Sequence, residues 1–141
     1  MIKYMSLVAL FSLIFSTAHA DSNDDLRLIR ETAKNYMEAW YEGDAKKMKK
    51  TLHKNLAKRS VKTGLTKGNT TLGFTSNSDM ISYTRGGYGK QLWVEGLKIE
   101  VKILDRYANI ASVMVKTPDY YEYLHMVKLD KGWVIINALY E

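Results

Sequence analysis

The sequence predicts an α+β domain in which N-terminal helices pack on an antiparallel sheet. Residues Leu26 to Leu56 have the apolar spacing of a helical pair, and the residues from Gln91 onward alternate between apolar and polar as strands do. Because the helices precede the main run of strands instead of alternating with it, the pattern favours an α+β fold over a parallel α/β fold.

The first element is a long amphipathic helix. Its predicted buried stripe consists of Leu26, Ile29, Ala33, Tyr36, Met37 and Trp40. Asp24 and Asp25 suit the positive end of a helix dipole, so we expect the helix to start near Ser22 or Asn23. Gly43 can adopt the left-handed conformation that ends it.

A second, shorter helix follows. Asp44 is expected to cap it, with Ala45, Met48 and Leu52 turned inward. Lysines occupy its other side: Lys46, Lys47, Lys49, Lys50 and Lys54. We interpret this lysine face as a solvated surface, with a site for an anionic partner as the alternative. Trp40, just before this helix, is expected to pack in the core, with the wall of a cavity as the alternative.

Residues 1–20 have the pattern of a secretory signal peptide. Lys3 provides the charged start, Leu7 to Phe15 the apolar centre, and Ala18-His19-Ala20 the cleavage motif. The apolar run is too short to span a bilayer, so no stable membrane anchor is expected; an uncleaved N-terminal anchor is the alternative. We therefore expect cleavage after Ala20, a periplasmic or secreted location, and one domain over residues 21–141.

Composition excludes several kinds of site. The chain has no cysteine, which rules out disulfides and thiolate metal sites. Lys3 is the one charged residue of the leader, so processing leaves 20 Lys and Arg (21 less Lys3) against 15 Asp and Glu, a net charge of +5. This moderate charge does not require nucleic acid as a partner, and no basic-aromatic RNA motif is present. No cofactor is expected.

The middle of the chain predicts two weak strands and a helix. The strands are Leu56 to Lys62 and Thr70 to Thr75, with Leu56, Lys58, Ser60 and Lys62 on one side of the first. Ser78 is expected to cap a helix of about two turns that contains Met80, Ile81 and Tyr83. The glycine-rich segment 85–90 is interpreted as a flexible loop, since no strand leads into it as a phosphate loop requires.

The last third of the chain predicts a four-stranded meander. Leu97, Ile99, Val101 and Ile103 alternate with charged residues, 105–109 forms a turn, and strands follow at Ile110–Lys116, Tyr120–Leu129 and Trp133–Tyr140. We expect a three-residue loop at Asp130-Lys131-Gly132, which places Leu129 opposite Trp133 and His125 opposite Asn137.

Both ends of the domain resemble a known superfamily. The segments are Tyr36 to Ala45 followed by Leu52-His53, and Tyr123 to Asn137. They resemble the nuclear-transport-factor-2-like (NTF2-like) superfamily, and within it the putative lumazine-binding family. The resemblance implies a cone-shaped fold with a curved sheet, and a flavin-precursor ligand. The family often has His-Pro-Asp where this chain has His53-Lys54-Asn55, so a shared role for His53 does not carry over.

The candidate ligand-binding residues follow from the expected strand phase. Glu122 and Lys128 are expected to face solvent, which turns Tyr121, Tyr123, His125, Val127 and Leu129 inward. The predicted lining of the cone is Trp40, Tyr36, Tyr123, His125, Asn137 and Tyr83. No catalytic residue is assigned, because no carboxylate is placed inward beside His125. Two histidines without a carboxylate at ligand spacing do not predict a metal site.

Three functions remain open. The first is a binding domain that holds a small apolar or aromatic ligand in the cone. The second is a protein-interaction module whose cone is filled by its own side chains. The third is an isomerase-like or dehydratase-like enzyme that uses His125. A cavity of several hundred Å³ would favour the first or third function.

A homodimer is also expected. The predicted outer face of the sheet is apolar at Ile110, Met114, Leu124, Met126, Val134, Ile136, Ala138 and Tyr140. Such a patch is larger than a soluble monomer usually exposes, and a second copy related by a two-fold axis would cover it. A different protein on the same patch is the alternative.

Overall fold

The computed structural model describes residues 8–64 and 68–141, and it describes side chains from Asn23 onward. The helices are α1 (Val8–Glu42), α2 (Ala45–Thr51) and α3 (Asn77–Arg85), with a short 3-10 turn at Lys90–Leu92. The strands are β1 (Leu52–Thr63), β2 (Thr70–Ser76), β3 (Glu100–Tyr107), β4 (Ile110–Lys116), β5 (Tyr121–Leu129) and β6 (Gly132–Tyr140). Within the described residues, no helix is long and apolar enough to cross a membrane.

The six strands form one curved sheet in the order β2-β1-β6-β5-β4-β3. Strands β3 to β6 are the antiparallel meander that the alternating pattern predicts. The β1–β2 hairpin joins this meander through a parallel pairing of β1 with β6, which makes the sheet mixed. The helices cover one face, so the predicted α+β architecture is confirmed.

Local sequence signals account for most helix ends. Gly43 has φ 71° and ends α1, and the Asp44 side chain accepts hydrogen bonds from the backbone N–H groups of Lys46 and Lys47 at the start of α2. The predicted cap of α3 was wrong by two residues. Ser76, not Ser78, caps α3 and forms a capping box with Asp79.

The start of α1 differs from the prediction. The helix begins at Val8, so Asp24 and Asp25 lie well inside it and not at its positive end. Residues 1–7 of the predicted signal peptide lie outside the described residues, and its cleavage remains a prediction.

The core lies between α1 and the covered face of the sheet. From the helix it contains Ile29, Ala33, Tyr36 and Met37, and from the sheet it contains Val113, Val115, Leu124, Met126, Trp133 and Ile135. The alternation predicted for β3 is confirmed, because Val101 and Ile103 pack on this core. From β4, Ala111, Val113 and Val115 lie within it.

The predicted phase of β5 was wrong. Glu122, Leu124 and Met126 are buried, whereas the alternate residues Tyr121, Tyr123, His125 and Leu129 are exposed on the face turned away from the helices. The prediction assumed that Glu122 faces solvent; the structure instead pairs Glu122 with a lysine inside the domain, which reverses every side chain of the strand.

The register of β6 explains a second difference. The hairpin pairs Leu129 with Gly132 and Lys128 with Trp133, so its loop has two residues and not three. An irregularity between His125 and Met126 then shifts the register. His125 still pairs with Asn137 as predicted, but both side chains are exposed on the outer face.

The remaining differences concern the end of β3 and the outer face. Strand β3 continues to Tyr107, so the predicted turn at 105–109 shortens to Ala108 and Asn109, with Ala108 at φ 47°. The predicted outer apolar patch is wrong in composition, because Leu124, Met126 and Ala138 belong to the core.

Candidate functional site

A cavity of about 90 Å³ lies inside the cone, between α1, α3 and the sheet. Aromatic side chains form much of its lining: Tyr36, Trp40, Tyr83, Tyr120 and Tyr140. Its two charged residues are Lys58 from β1 and Glu122 from β5. Because β6 lies between these two strands, the long side chains of Lys58 and Glu122 meet above β6.

The charged pair forms a closed network with a phenol. Lys58 Nζ donates to Glu122 Oε1 at 2.7 Å and to the Tyr36 hydroxyl at 2.6 Å. The Tyr36 hydroxyl in turn donates to Glu122 Oε2 at 3.0 Å. The ammonium also lies 4.0 Å from the centre of the Tyr140 ring, where the negative face of the ring attracts a cation.

Burial controls the electrostatics of this network. The side chains of Lys58 and Glu122 are only 5% and 2% exposed. Burial lowers the pKa of the Lys58 ammonium, and the charge of Glu122 offsets only part of that change. Burial raises the pKa of the Tyr36 phenol well above its ordinary value, and the neighbouring Glu122 carboxylate raises it further. Lys58 therefore loses its proton at a lower pH than an exposed lysine does, whereas Tyr36 keeps its proton.

Trp40 contributes an unused donor to the same region. Its indole Nε1 is buried and makes no hydrogen bond to any described residue. The indole packs edge-on against Tyr120, with ring centres 6.4 Å apart. Burial raises the pKa of the Tyr120 phenol, and the nearby Trp40 indole N–H offsets part of that rise. A buried donor without a partner is uncommon in folded proteins, which makes this N–H a candidate ligand contact.

Gly89 fixes the position of Trp40. A Cβ atom on Gly89 would lie 2.3 Å from the backbone oxygen of Trp40 and 2.7 Å from its ring atom Cδ1. The glycine-rich segment interpreted as a flexible loop thus packs directly on the backbone that carries the wall of the cavity, where only a residue without a side chain fits.

The predicted site residues divide into two groups. Tyr36, Trp40 and Tyr83 line the cavity. The predicted positions of Tyr123, His125 and Asn137 inside the cone are wrong, because all three side chains are exposed on the outer face. His125 and Asn137 line a separate outer groove of about 470 Å³ instead.

Sequence reasoning did not assign the two charged residues of the cavity. For Lys58 a signal was present, since it shares one side of β1 with Leu56 and Ser60, and all three are buried. For Glu122 no signal was present, because a glutamate among tyrosines at a strand start is ordinarily solvent-facing.

A second buried carboxylate lies elsewhere in the core. Asp25 on α1 accepts hydrogen bonds from Trp133 Nε1 at 2.9 Å and forms ion pairs with Lys128 at 2.8 Å and with Arg106. Burial alone would raise the pKa of Asp25, but the hydrogen bonds from Lys128 and Trp133 and the charge of Arg106 hold that pKa below its ordinary value. This cluster therefore fastens α1 to strands β3, β5 and β6.

The chemistry available in the cavity is that of an amine, a carboxylate, a phenol and an indole N–H. Among the described side chains, no group of three or more His, Cys, Asp or Glu residues is arranged to hold a metal ion. The cavity residues can hydrogen-bond a small polar group and exchange protons with it.

The family is established by comparison with known proteins. The family model described as "Putative lumazine-binding" matches residues 24–141, which is most of the chain. This chain belongs to that family. No curated protein is significantly similar to it in sequence.

Solved structures with the same fold cover nearly all of the domain. A protein of unknown function from Silicibacter pomeroyi DSS-3, described as NTF-2 like, has 13% identity and a TM-score of 0.64, covering 85% of this chain and 97% of that one. An NTF2-like protein of unknown function from Methylobacillus flagellatus KT has 19% identity and a TM-score of 0.62, covering 83% and 90%.

A ketosteroid isomerase-like protein from Erwinia carotovora atroseptica is also similar. It has 13% identity and a TM-score of 0.56, and the match covers 84% of this chain and 95% of that one. At these identities the likeness establishes the cone-shaped NTF2-like fold and not a shared activity.

Proposed function

We propose that this chain binds a small carbonyl-containing molecule in the cavity of the cone. One observation carries the proposal: the buried ion pair of Lys58 and Glu122 and the unpartnered N–H of Trp40 line the same cavity. A carbonyl oxygen is the smallest group that would satisfy the indole donor, and the aromatic walls would cover the apolar part of the molecule.

The size of the cavity limits the ligand. Its volume of about 90 Å³ is well below the roughly 300–1,000 Å³ of typical ligand pockets. At about 30 Å³ per water molecule, it has room for about three waters. A ligand with about four or five non-hydrogen atoms fits this space, whereas the bicyclic ring of lumazine requires the side chains at the mouth, such as Tyr83, to move.

The test observes the Trp40 indole directly. In a ¹⁵N–¹H spectrum of the folded protein, propionamide should shift the Trp40 indole resonance in a saturable way, because its carbonyl accepts that hydrogen bond. We expect a dissociation constant on the order of millimolar for so small a ligand. The indole of Trp133 already donates to Asp25 at 2.9 Å and serves as the internal control that should not shift.

Two further results decide the proposal. Trp40→Phe keeps an aromatic wall but removes the donor, so it should weaken propionamide binding about five-fold, the value of one ordinary hydrogen bond. Lumazine should leave the Trp40 indole unchanged at concentrations at which propionamide saturates it. No shift of Trp40 with propionamide would contradict the proposal, and a saturable shift with lumazine would contradict the size limit.

We also propose that the chain forms a homodimer through the outer face of its sheet. Tyr123 pairs with Leu139, Leu139 with Arg59, and Arg59 with Phe74, so one exposed and largely apolar row crosses four strands. A two-fold axis through this row would place each apolar side chain against its counterpart. Sedimentation should show a dimer at micromolar concentration, and Leu139→Lys should convert it to a monomer. A wild-type monomer under these conditions would contradict the proposal.

Export is the last part of the proposed function. The Ala18-His19-Ala20 motif supports cleavage after Ala20 and a periplasmic or secreted location. Mass spectrometry of exported protein should give an N-terminus at Asp21, and an intact Met1 in that material would contradict processing.

A further inference from the structure

We propose that Lys58 is a reactive amine that forms a Schiff base with a small aldehyde or ketone in the cavity. The inference rests on the proposed function, since the carbonyl compound must first enter the cone. It extends that function from binding to a covalent step, in which the chain's own amine is the nucleophile.

The surroundings of Lys58 provide what this step requires. The amine lies at the wall of the cavity, where a bound carbonyl carbon can approach it. A proton acceptor, Glu122 Oε1, lies 2.7 Å from Nζ. The Tyr36 hydroxyl accepts from Nζ at 2.6 Å and donates to Glu122 Oε2 at 3.0 Å, so it positions both partners.

A purely structural role explains these features less well. A buried ion pair generally stabilises a fold no better than well-packed apolar residues of similar volume, because both charges lose their hydration. This pair also lies at a cavity wall and not in the packed part of the core. Burial lowers the pKa of Lys58, which raises the fraction of neutral, nucleophilic amine.

The step balances without an added oxidant or reductant. The Lys58 ammonium gives a proton to Glu122, which leaves a neutral amine and a carboxylic acid. The lone pair of Nζ forms a bond to the carbonyl carbon, the π pair of the C=O bond moves to oxygen, and Glu122 returns its proton to that oxygen.

Loss of water completes the reaction. Glu122 takes a proton from the nitrogen of the adduct and passes it to the hydroxyl group. The C–O bond then breaks, water leaves, and the nitrogen lone pair forms the C=N bond of a protonated Schiff base. The net change is one ammonium and one carbonyl compound converted to one iminium and one water, with Glu122 again a carboxylate.

Reductive trapping on the native full chain tests the inference. The folded protein is treated with acetaldehyde and cyanoborohydride near neutral pH, and peptide mapping measures the rate of ethylation at each lysine. Lys54 and Lys62 lie on the same strand as Lys58 and are exposed, so they serve as internal references. Because burial lowers the pKa of Lys58 and Glu122 lies within reach of its proton, we expect Lys58 to react several-fold faster than the two reference lysines. Ethylation of Lys58 as slow as that of Lys62, or slower, would overturn the inference.

A larger aldehyde provides a matched probe. Benzaldehyde reacts with the same amines but exceeds the cavity of about 90 Å³. It should modify Lys62 and leave Lys58 largely unmodified. Equal modification of both lysines would show that the Lys58 amine is reached from solvent, which would overturn the assignment of the reaction to the cavity.

Two variants test the roles assigned to the Lys58 amine and the Tyr36 hydroxyl. Tyr36→Phe removes the positioning hydroxyl while the ring stays, so it should slow ethylation of Lys58 several-fold and leave the rate at Lys62 unchanged. Lys58→Arg keeps a cation beside Glu122 but cannot form a Schiff base, so ethylation at position 58 should be lost while the rates at Lys54 and Lys62 stay unchanged. Propionamide binding without fast ethylation of wild-type Lys58 would reject only the Schiff base. Absence of both would reject the proposed function as well.

Discussion

Among the side chains that the structure describes, two carboxylates are buried, and their surroundings differ. Asp25 and Glu122 are each almost inaccessible. Two cations and an aromatic donor hold Asp25, whereas one cation and one aromatic donor hold Glu122. The cations around Asp25 reach solvent, since Arg106 is 21% exposed and Lys128 is 33% exposed. The cation beside Glu122 does not, because Lys58 is only 5% exposed.

This difference indicates two roles. The charged partners of Asp25 keep part of their hydration, which suits a fastening between α1 and the sheet. The Lys58–Glu122 pair is enclosed, borders a cavity, and has a lysine whose pKa burial lowers. Perturbed ionisable groups beside a cavity are typical of functional sites. Substitutions in the two clusters should therefore lower the free energy of unfolding by different amounts, and different second substitutions should restore it.

Removal of Glu122 should have the largest effect. Glu122→Ala leaves the Lys58 ammonium buried without a partner, which should lower the free energy of unfolding by roughly 3–5 kcal/mol. Urea denaturation of the purified protein measures the change.

The double variant Lys58→Met with Glu122→Leu is the matched control. It replaces the pair with apolar side chains of similar size, so it should recover most of the lost stability while ethylation at position 58 is abolished. A loss below 1 kcal/mol in Glu122→Ala would show that Lys58 reaches solvent and would remove the distinction between the two clusters.

Gly89→Ala should have the next largest effect. The added Cβ would lie 2.3 Å from the backbone oxygen of Trp40, so either the loop or the end of α1 must shift. We expect a loss of about 3 kcal/mol, at the upper end for overpacking, and a changed Trp40 indole resonance. Gly96→Ala is the control, because its Cβ would meet no atom within 4 Å and only its φ of 75° is strained. Equal losses of stability in Gly89→Ala and Gly96→Ala would show that contact with Trp40 does not cause the destabilisation.

Asp25→Asn should have a smaller effect than either. Asparagine still accepts a hydrogen bond from Trp133, and the two cations can turn to solvent. We therefore expect the free energy of unfolding to fall by about 1–2 kcal/mol, which is less than the loss expected for Glu122→Ala. The cavity should be unaffected, so propionamide should still shift Trp40. A loss equal to that of Glu122→Ala would show that the Asp25 cluster is as enclosed as the other.

The pH dependence of the Asp25 contribution has a defined sign. The pKa of Asp25 is lower in the folded chain than its ordinary value of 3.8, so its contribution is fully present above that value. It should disappear as the pH falls through the folded pKa. The stability difference between wild type and Asp25→Asn should thus be constant near neutral pH and shrink in acid. A difference that grows as the pH falls would contradict the assigned direction.

The sequence allowed much of the fold to be predicted, for identifiable reasons. Helical spacing located α1 and α2, and strict alternation at Val101 and Ile103 located β3 with the correct face inward. Three of the six proposed lining residues, Tyr36, Trp40 and Tyr83, do line the cavity. These residues lie on helices, where apolar periodicity determines which side is buried.

The charged part of the site escaped prediction because its alternation is ambiguous. On β5 both faces are apolar or aromatic, so the phase was assigned from the assumption that Glu122 is solvated. The residue that overrides this assumption, Lys58, lies two strands away in the sheet and 64 positions away in the chain. Pairing at this distance is determined by tertiary structure, which a local pattern does not contain.

The smallest expected effect concerns the lysine face of α2, whose charged groups lie at or near the surface. Three lysines of the lysine face, Lys46, Lys49 and Lys50, are exposed, whereas Lys47 is only 26% exposed and bridges Glu38 at 2.7 Å and Glu42 at 3.2 Å. Substitution of the three exposed lysines by Gln should leave the melting temperature nearly unchanged, because exposed charges contribute little. Lys47→Gln should cost about 0.5 kcal/mol, and this loss should vanish at high salt, which screens partly exposed pairs. Thermal unfolding at low and high salt measures both changes. If Lys47→Gln lowers stability as much as Asp25→Asn does at high salt, burial does not determine how much each ion pair contributes. The ion pairs compared are those of Glu122, Asp25 and Lys47.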